Sequence, residues 1–460
     1  MNTIIFLASL GGFAMLAEIF RLRKLIYPVV LLGLPGAAAV AVMDWNGRAL
    51  SPIFNNMIVF DHFAVMFSVV MIVTLALWML LAHRGLNESV TVSDHVSLAV
   101  FSLTGGVLMV CYANLTMLFL GIEILSIPVY ILAGSNKTSL RSNESAFKYF
   151  LMGAFATGFL LFGIAMVYGA TASFDLMRIA EAVYTSALTS KMLLGTGIIF
   201  ILVGMAFKIS AVPFHFWTPD VYEGAPTAIT AFMSTIVKTA AIAAFFRLFA
   251  FCFTGEAGTW STIIWAVAAL TLLYGNITAV YQQSVKRMLA YSSISHAGYM
   301  LLALLAMADT SQGSILYYTA AYSAGSIGAF AVLMLVAQAK GNEGFDAFNG
   351  LGRSNPILAF VMTCSMLSLA GIPPMAGFFA KYYIFSSALD SGYTGIVIIA
   401  VIASLVSVYY YLRVIIAMYF RESREGLTIE LSLLHQVLMI IVTALIIALG
   451  IFPDLIISRL

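Results

Sequence analysis

The chain has 460 residues, 62% of them hydrophobic and only 9% charged, and its mean hydropathy is +1.02. A soluble domain carries about 25% charged residues, so the composition excludes a water-soluble enzyme and describes a polytopic membrane protein. The formal net charge of +2, without a basic patch interleaved with aromatics, offers nucleic acid no electrostatic footprint.

Met1 to Phe20 lacks a basic leading segment and a small-residue cleavage site, so it reads as a first transmembrane helix and not as a removable signal. A helix needs about 20 apolar residues to span the hydrocarbon core. Runs of that kind cover 3–20, 25–43, 58–82, 94–111, 113–134, 147–170, 191–217, 225–250, 260–281, 287–307, 314–338, 355–389, 393–418 and 432–452, about fourteen in all. The longest connections are the loops 171–190 and 340–354. Lys and Arg cluster on alternate connections, at Arg21, Arg23, Lys24, Arg84, Lys137, Arg141, Lys286, Arg287, Lys340, Arg353, Arg421 and Arg424. The opposite side holds only Arg48, Arg178, Lys191 and Arg459. The positive-inside rule then places both termini on the non-cytoplasmic side. Cys111, Cys252 and Cys364 have no metal-like spacing and read as small buried hydrophobes.

Two runs look broken. Ile357 to Leu389 would be about 50 Å long as one helix, against a core of about 30 Å. It is interrupted by Gly371-Ile372-Pro373-Pro374 and Gly377, and consecutive prolines cannot continue a helix. The second candidate is Phe207 to His215, which contains Pro213. Irregular backbone at membrane depth survives only where protein or water covers it, and paired broken helices point to an ion or substrate site. An ordinary proline kink is the alternative at each.

Four charges sit in the middle of stretches that otherwise read as lipid: Glu123, Lys208, Lys238 and Lys381. A charge there costs several kcal/mol, so such residues are rare and mark functional sites. Lys148 and Lys191 sit at run ends and suit snorkelling to the interface instead. One glutamate cannot neutralise three lysines. Two unit charges about 6 Å apart couple by roughly 2.8 kcal/mol at an effective dielectric near 20. A Glu–Lys pair that opens and closes is therefore a switch that loads and ejects a proton. His215, Ser210, Thr235, His296, Ser292, Tyr318 and Tyr322 are candidates to link such sites. The alternative for each is a helix–helix hydrogen bond.

The segment Phe207-Lys208 through Trp217-Thr218-Pro219-Asp220-Val221-Tyr222-Glu223-Gly224-Ala225-Pro226-Thr227, followed by Lys238, resembles the antiporter-like membrane subunits of respiratory complex I. That family also takes in subunits of Mrp-type sodium/proton antiporters and membrane-bound hydrogenases. The wording Thr218 to Pro226 is most similar to its subunit N branch. Leu369 to Phe378 with Lys381, and Leu120 to Pro128 around Glu123, agree with this likeness. It covers nearly the whole chain.

The resemblance implies an all-α polytopic fold of about 14 transmembrane helices. Three N-terminal helices (1–93) would precede two inverted five-helix repeats (94–250 and 260–418), and a C-terminal helix (432–452) would follow. Each repeat would hold one discontinuous helix, near 207–217 and near 370–380. Glu123 and Lys208 would form an ion pair, Lys238 a central relay and Lys381 a terminal site, with His215 and His296 as weaker members. NADH, FMN, iron–sulfur clusters and quinone are expected in other subunits and none of them in this one. Partners would be the other complex I membrane subunits, including neighbouring antiporter-like subunits, in the lipid bilayer of a bacterial inner membrane. The function implied is proton translocation by a non-redox subunit of a NADH:quinone oxidoreductase. An Mrp-type sodium/proton antiporter subunit and a structural membrane subunit without an ion path are the alternatives.

Overall fold

The computed structural model describes residues 1–46, 57–87, 92–185, 188–308, 310–422 and 429–457. Arg48, Arg424 and Arg459, counted above for orientation, lie outside the described residues. In chain order the helices are α1 (Asn2–Ile19), α2 (Arg23–Asn46), α3 (His62–Asn87), α4 (Val92–Cys111), α5 (Leu115–Ala133), α6 (Leu140–Thr171), α7 (Leu176–Tyr184), α8 (Lys191–Lys208) and α9 (Trp217–Gly224). There follow α10 (Thr227–Cys252), α11 (Ala257–Val280), α12 (Val285–Ala306), α13 (Ser311–Lys340), α14 (Pro356–Ala370), α15 (Ala376–Asp390), α16 (Thr394–Phe420) and α17 (Leu433–Ile451). Among the described residues, 13 helices are long and apolar enough to cross a membrane. The fourteenth expected span is the pair α14 and α15, 15 residues each, too short to cross singly. The fold is all-α and polytopic.

Helix starts follow capping chemistry. Asn114, Ser139, Asp175, Ser190, Ser284 and Ser432 each accept a hydrogen bond from a first-turn backbone N–H of the helix they precede. The loop expected at 171–190 instead contains α7, whose Leu176, Ile179 and Val183 are buried at helical spacing while Met177 is exposed. A nine-residue amphipathic helix is shorter than a membrane run, and the scan for apolar runs passes over it. The 340–354 connection likewise holds two short helical turns, Phe345–Phe348 and Leu351–Ser354.

The chain forms two compact units. The first comprises 1–76, 84–217 and 236–266. Within it α4 and α5 pack backbone to backbone, because a Cβ on Gly105 would stand 2.3 Å from the Leu125 nitrogen. The second comprises 77–83, 218–235 and 267–460. Its long α13 packs against α14, α15 and α17.

Candidate functional site

In the first unit, α8 stops at Lys208. Ser210 takes the left-handed conformation (φ +66°), and the Ala211 N–H reaches back to the Ala206 carbonyl at 2.8 Å, a Schellman-type stop. The Trp217 indole donates to the Phe207 carbonyl at 3.2 Å. Residues 209–216, including a cis Val212–Pro213 bond, separate α8 from α9. The helix expected across 191–217 thus ends at its own lysine.

Lys208 is 6% exposed. Its ammonium donates to Ser126 Oγ on α5 at 2.5 Å and lies 5.9 Å from the Tyr130 ring centroid. The Ser126 hydroxyl in turn donates to the Ile122 carbonyl. Glu123 is half-buried on the same helix, three residues before Ser126. Among the described residues, no carboxylate forms an ion pair with this lysine within 4.0 Å; the hydroxyl holds it. Tyr130 packs edge-on against Tyr149 (centroids 4.6 Å), and Tyr149 stacks on Trp217 (4.5 Å). An aromatic bridge thus ties the α5 stripe to the break.

Lys238 is 2% exposed and directly follows a π-helical turn, Met233–Val237, inside α10. Such turns are rare and favour functional positions. Thr235, within that turn, gives its hydroxyl to the Ala231 carbonyl. A second π turn, Leu248–Cys252, ends α10. Just before it the buried Arg247 meets both Asp61 oxygens, Oδ2 at 2.6 Å. Asp61 also caps the start of α3 through the Ala64 N–H. Sequence reading missed this pair because both residues lie near the ends of apolar runs, where a charge looks solvated. His215 is buried beside Phe216.

In the second unit, α14 stops at Ala370. Gly371 is left-handed (φ +84°) and the Ile372 N–H returns to the Leu367 carbonyl at 3.0 Å. A cis Pro373–Pro374 bond follows, and α15 starts at Ala376. Lys381, 5% exposed, reaches back from α15: its Nζ donates to the Ala370 carbonyl at 2.7 Å and to Ser404 Oγ at 2.8 Å. It also lies 4.9 Å from the Tyr299 ring centroid. A cation at a helix C-terminus meets the negative end of the dipole.

His296 sits among tyrosines. Its Nδ1 is 2.6 Å from the Tyr318 hydroxyl and its Nε2 3.2 Å from the Tyr411 hydroxyl. Tyr411 continues to Ser292 at 2.5 Å, and Tyr322, whose ring centroid is 4.7 Å from the imidazole, donates to Ser293. A neutral imidazole has one donor and one acceptor nitrogen, so exchanging the tautomer reverses which tyrosine gives and which accepts. Ser126, Tyr299, Ser404 and Tyr411 were not foreseen. In an apolar run, a serine or tyrosine carries no signal that separates a site from ordinary packing. The Thr218–Thr227 motif is clamped at its end: Arg287 pairs with Asp220 and Glu223, and Lys286 bonds the Ala225 carbonyl at 2.8 Å and Glu343 at 3.2 Å.

Buried lysines at helix irregularities, two of them bonded to serine hydroxyls, are groups that can take up and release protons. Residues 113–407 match the family described as NADH:quinone oxidoreductase/Mrp antiporter, TM. The chain is 44% identical to NADH-quinone oxidoreductase subunit N of Flavobacterium psychrophilum, over all of both chains. It is 43% identical to that of Cytophaga hutchinsonii, covering 100% of this chain and 99% of the relative. A chain of respiratory complex I from Thermus thermophilus, solved with bound aureothin, superposes with a TM-score of 0.84 at 32% identity, covering 99% of this chain and 98% of that one. With its broken helices and embedded lysines inside the matched region, the chain belongs to the subunit N family of NADH-quinone oxidoreductase, the antiporter-like membrane subunits of respiratory complex I.

Proposed function

We propose that this subunit moves protons through Glu123, Lys208, Lys238 and Lys381, with His215, His296, Tyr318 and Tyr322 as further members of the path and Tyr411 joining His296. The observation that carries this reading is that each of the three buried lysines stands where regular helix fails. Lys208 ends α8, Lys238 follows a π turn, and Lys381 caps the open end of α14. Broken backbone at membrane depth frees carbonyls and N–H groups to face water or ions. Glu123 and Lys208 act as the switchable pair, Lys238 as the relay and Lys381 as the terminal site.

In this reading the helices of 94–250 and of 260–418 are two inverted five-helix repeats, preceded by three helices in 1–93 and followed by the one in 432–452. Both termini face the non-cytoplasmic side of the cell inner membrane. The subunit is a non-redox part of a translocase. NADH, FMN, iron–sulfur clusters and quinone act in other subunits, whose redox energy arrives as an electrostatic change along the path. It works against about 2.3 kcal/mol per charge per 100 mV of membrane potential.

Lys238→Ala tests the reading. The variant is expected to assemble into the complex and to lose proton pumping and coupled quinone reduction in membrane vesicles. Full assembly with normal acidification of the outer compartment would sink the relay assignment.

A further inference from the structure

We infer that Ser126 is a positioning residue that holds Lys208 away from Glu123, so that the lysine alternates between a hydroxyl-held and a carboxylate-held state. The inference rests on the reading of Glu123 and Lys208 as a switchable pair, and names what occupies the lysine when the pair is open.

The geometry begins on α5. Glu123, Ser126 and Tyr130 stand at i, i+3 and i+7, so they form one stripe along the helix. Lys208 meets that stripe at Ser126 and Tyr130, one turn beyond the carboxylate. Moving from one holder to the next is a step of about 5–6 Å, within the sweep of a four-carbon side chain. No helix has to move.

The serine is prepared as an acceptor. A hydroxyl has one proton, and that of Ser126 is committed to the Ile122 carbonyl. Its oxygen therefore presents only lone pairs to the lysine. Ser126 is fully buried, so this contact does not compete with bulk water. A neutral acceptor attracts an ammonium less than a carboxylate does. The hydroxyl site thus suits the lysine when the Glu123 interaction is weakened, and yields when it is restored. The other side of the site is fixed: Tyr130 is held by Tyr149, and Tyr149 by Trp217, which is bonded to the Phe207 carbonyl beside the lysine.

The test uses the assembled complex in inverted membrane vesicles, with proton pumping driven by NADH oxidation. Ser126→Ala removes the alternative holder and is expected to slow pumping on the order of tenfold, with normal amounts of intact complex on a native gel. Ser126→Thr keeps the hydroxyl and is expected to stay within about twofold of the parent. In a Glu123→Gln background, Ser126→Ala is expected to add no further loss, because the two holders no longer compete. Wild-type pumping in Ser126→Ala, with Lys208→Ala inactive, overturns the role of Ser126 alone. Wild-type pumping in Lys208→Ala overturns the switchable pair and this inference with it. An equal loss from Ser126→Ala in both backgrounds, without rescue by threonine, assigns Ser126 to packing and also overturns it.

Discussion

The two helix breaks stop in the same way and then place their lysines differently. Each ends in a left-handed residue, Ser210 in one and Gly371 in the other, and each turns an N–H back onto a carbonyl five residues earlier. Lys208 belongs to the helix that is ending, and its side chain leaves for a serine on α5. Lys381 belongs to the helix that follows, and its ammonium is itself a cap on the Ala370 carbonyl. The first lysine can change partners without unmaking a helix end, since the Phe207 carbonyl is covered by the Trp217 indole. The second cannot leave without stripping a carbonyl of its donor at membrane depth, where a lost hydrogen bond is costly. In the proposed relay the first break would act as a switch and the second as a fixed station.

The second break is closely packed, and Gly377 is the place to break it. A Cβ there would stand 1.7 Å from the Ser368 backbone oxygen, an overlap that no side-chain rotation relieves. Gly377→Ala should cost at least about 3 kcal/mol and sharply reduce the intact complex recovered in mild detergent. The first break has no glycine in 209–216 and so has no comparable point of failure. Normal recovery of Gly377→Ala would mean that the two halves of this helix are less closely joined than the contact implies.

A smaller effect is expected at Gly371. Its φ of +84° and a would-be Cβ 2.8 Å from Lys381 Cδ set two costs together. The left-handed strain is about 1–2 kcal/mol, and the stem of the lysine has to shift. Gly371→Ala should therefore lower the thermal midpoint of the solubilised complex by a few degrees and reduce pumping by more than the stability loss explains. Unchanged pumping at a lowered midpoint would show that Lys381 tolerates displacement, contrary to its role as a fixed cap.

How much of this is legible in the chain depends on how large the physical signal is. The apolar runs locate the spans because burying a helix in lipid requires about 20 such residues, but not all of their ends: the run to 217 overshoots α8, which stops at Lys208, and α6 begins at Leu140, ahead of its run. The double proline at 373–374 marks the second break because it removes consecutive N–H donors. Lys208, Lys238 and Lys381 stand out because charge in apolar sequence is expensive, and the structure buries all three. The π turn before Lys238 is invisible in Met233–Val237, since a one-residue change in hydrogen-bond register leaves hydrophobicity untouched. Ser126 is equally silent: a serine in a membrane helix most often bonds its own backbone, and this one does so while also accepting from Lys208. Tyr411 and Ser404 lie on α16, far along the chain from the groups they touch, and pairings at that separation leave no local pattern.

The smallest expected effect tests whether the left-handed stop is a common device of both breaks. Ser210 holds φ +66° with a side chain that adds strain of about 1 kcal/mol. Glycine removes that strain but gains roughly 0.4–1 kcal/mol of unfolded-state entropy. Ser210→Gly should thus be near neutral, stabilising by no more than about 0.5 kcal/mol, seen as a thermal midpoint within about 2 °C of the parent or slightly above it. Pumping should be unchanged, because Lys208 is held by α5 and not by the turn that follows it. The contrast with Gly371 is then specific. At the second break glycine fits without strain, whereas a Cβ would stand 2.8 Å from the lysine stem. At the first the lysine points elsewhere, and a serine is accommodated. A marked loss of pumping in Ser210→Gly would place the turn itself in the proton path and collapse the distinction between the two breaks.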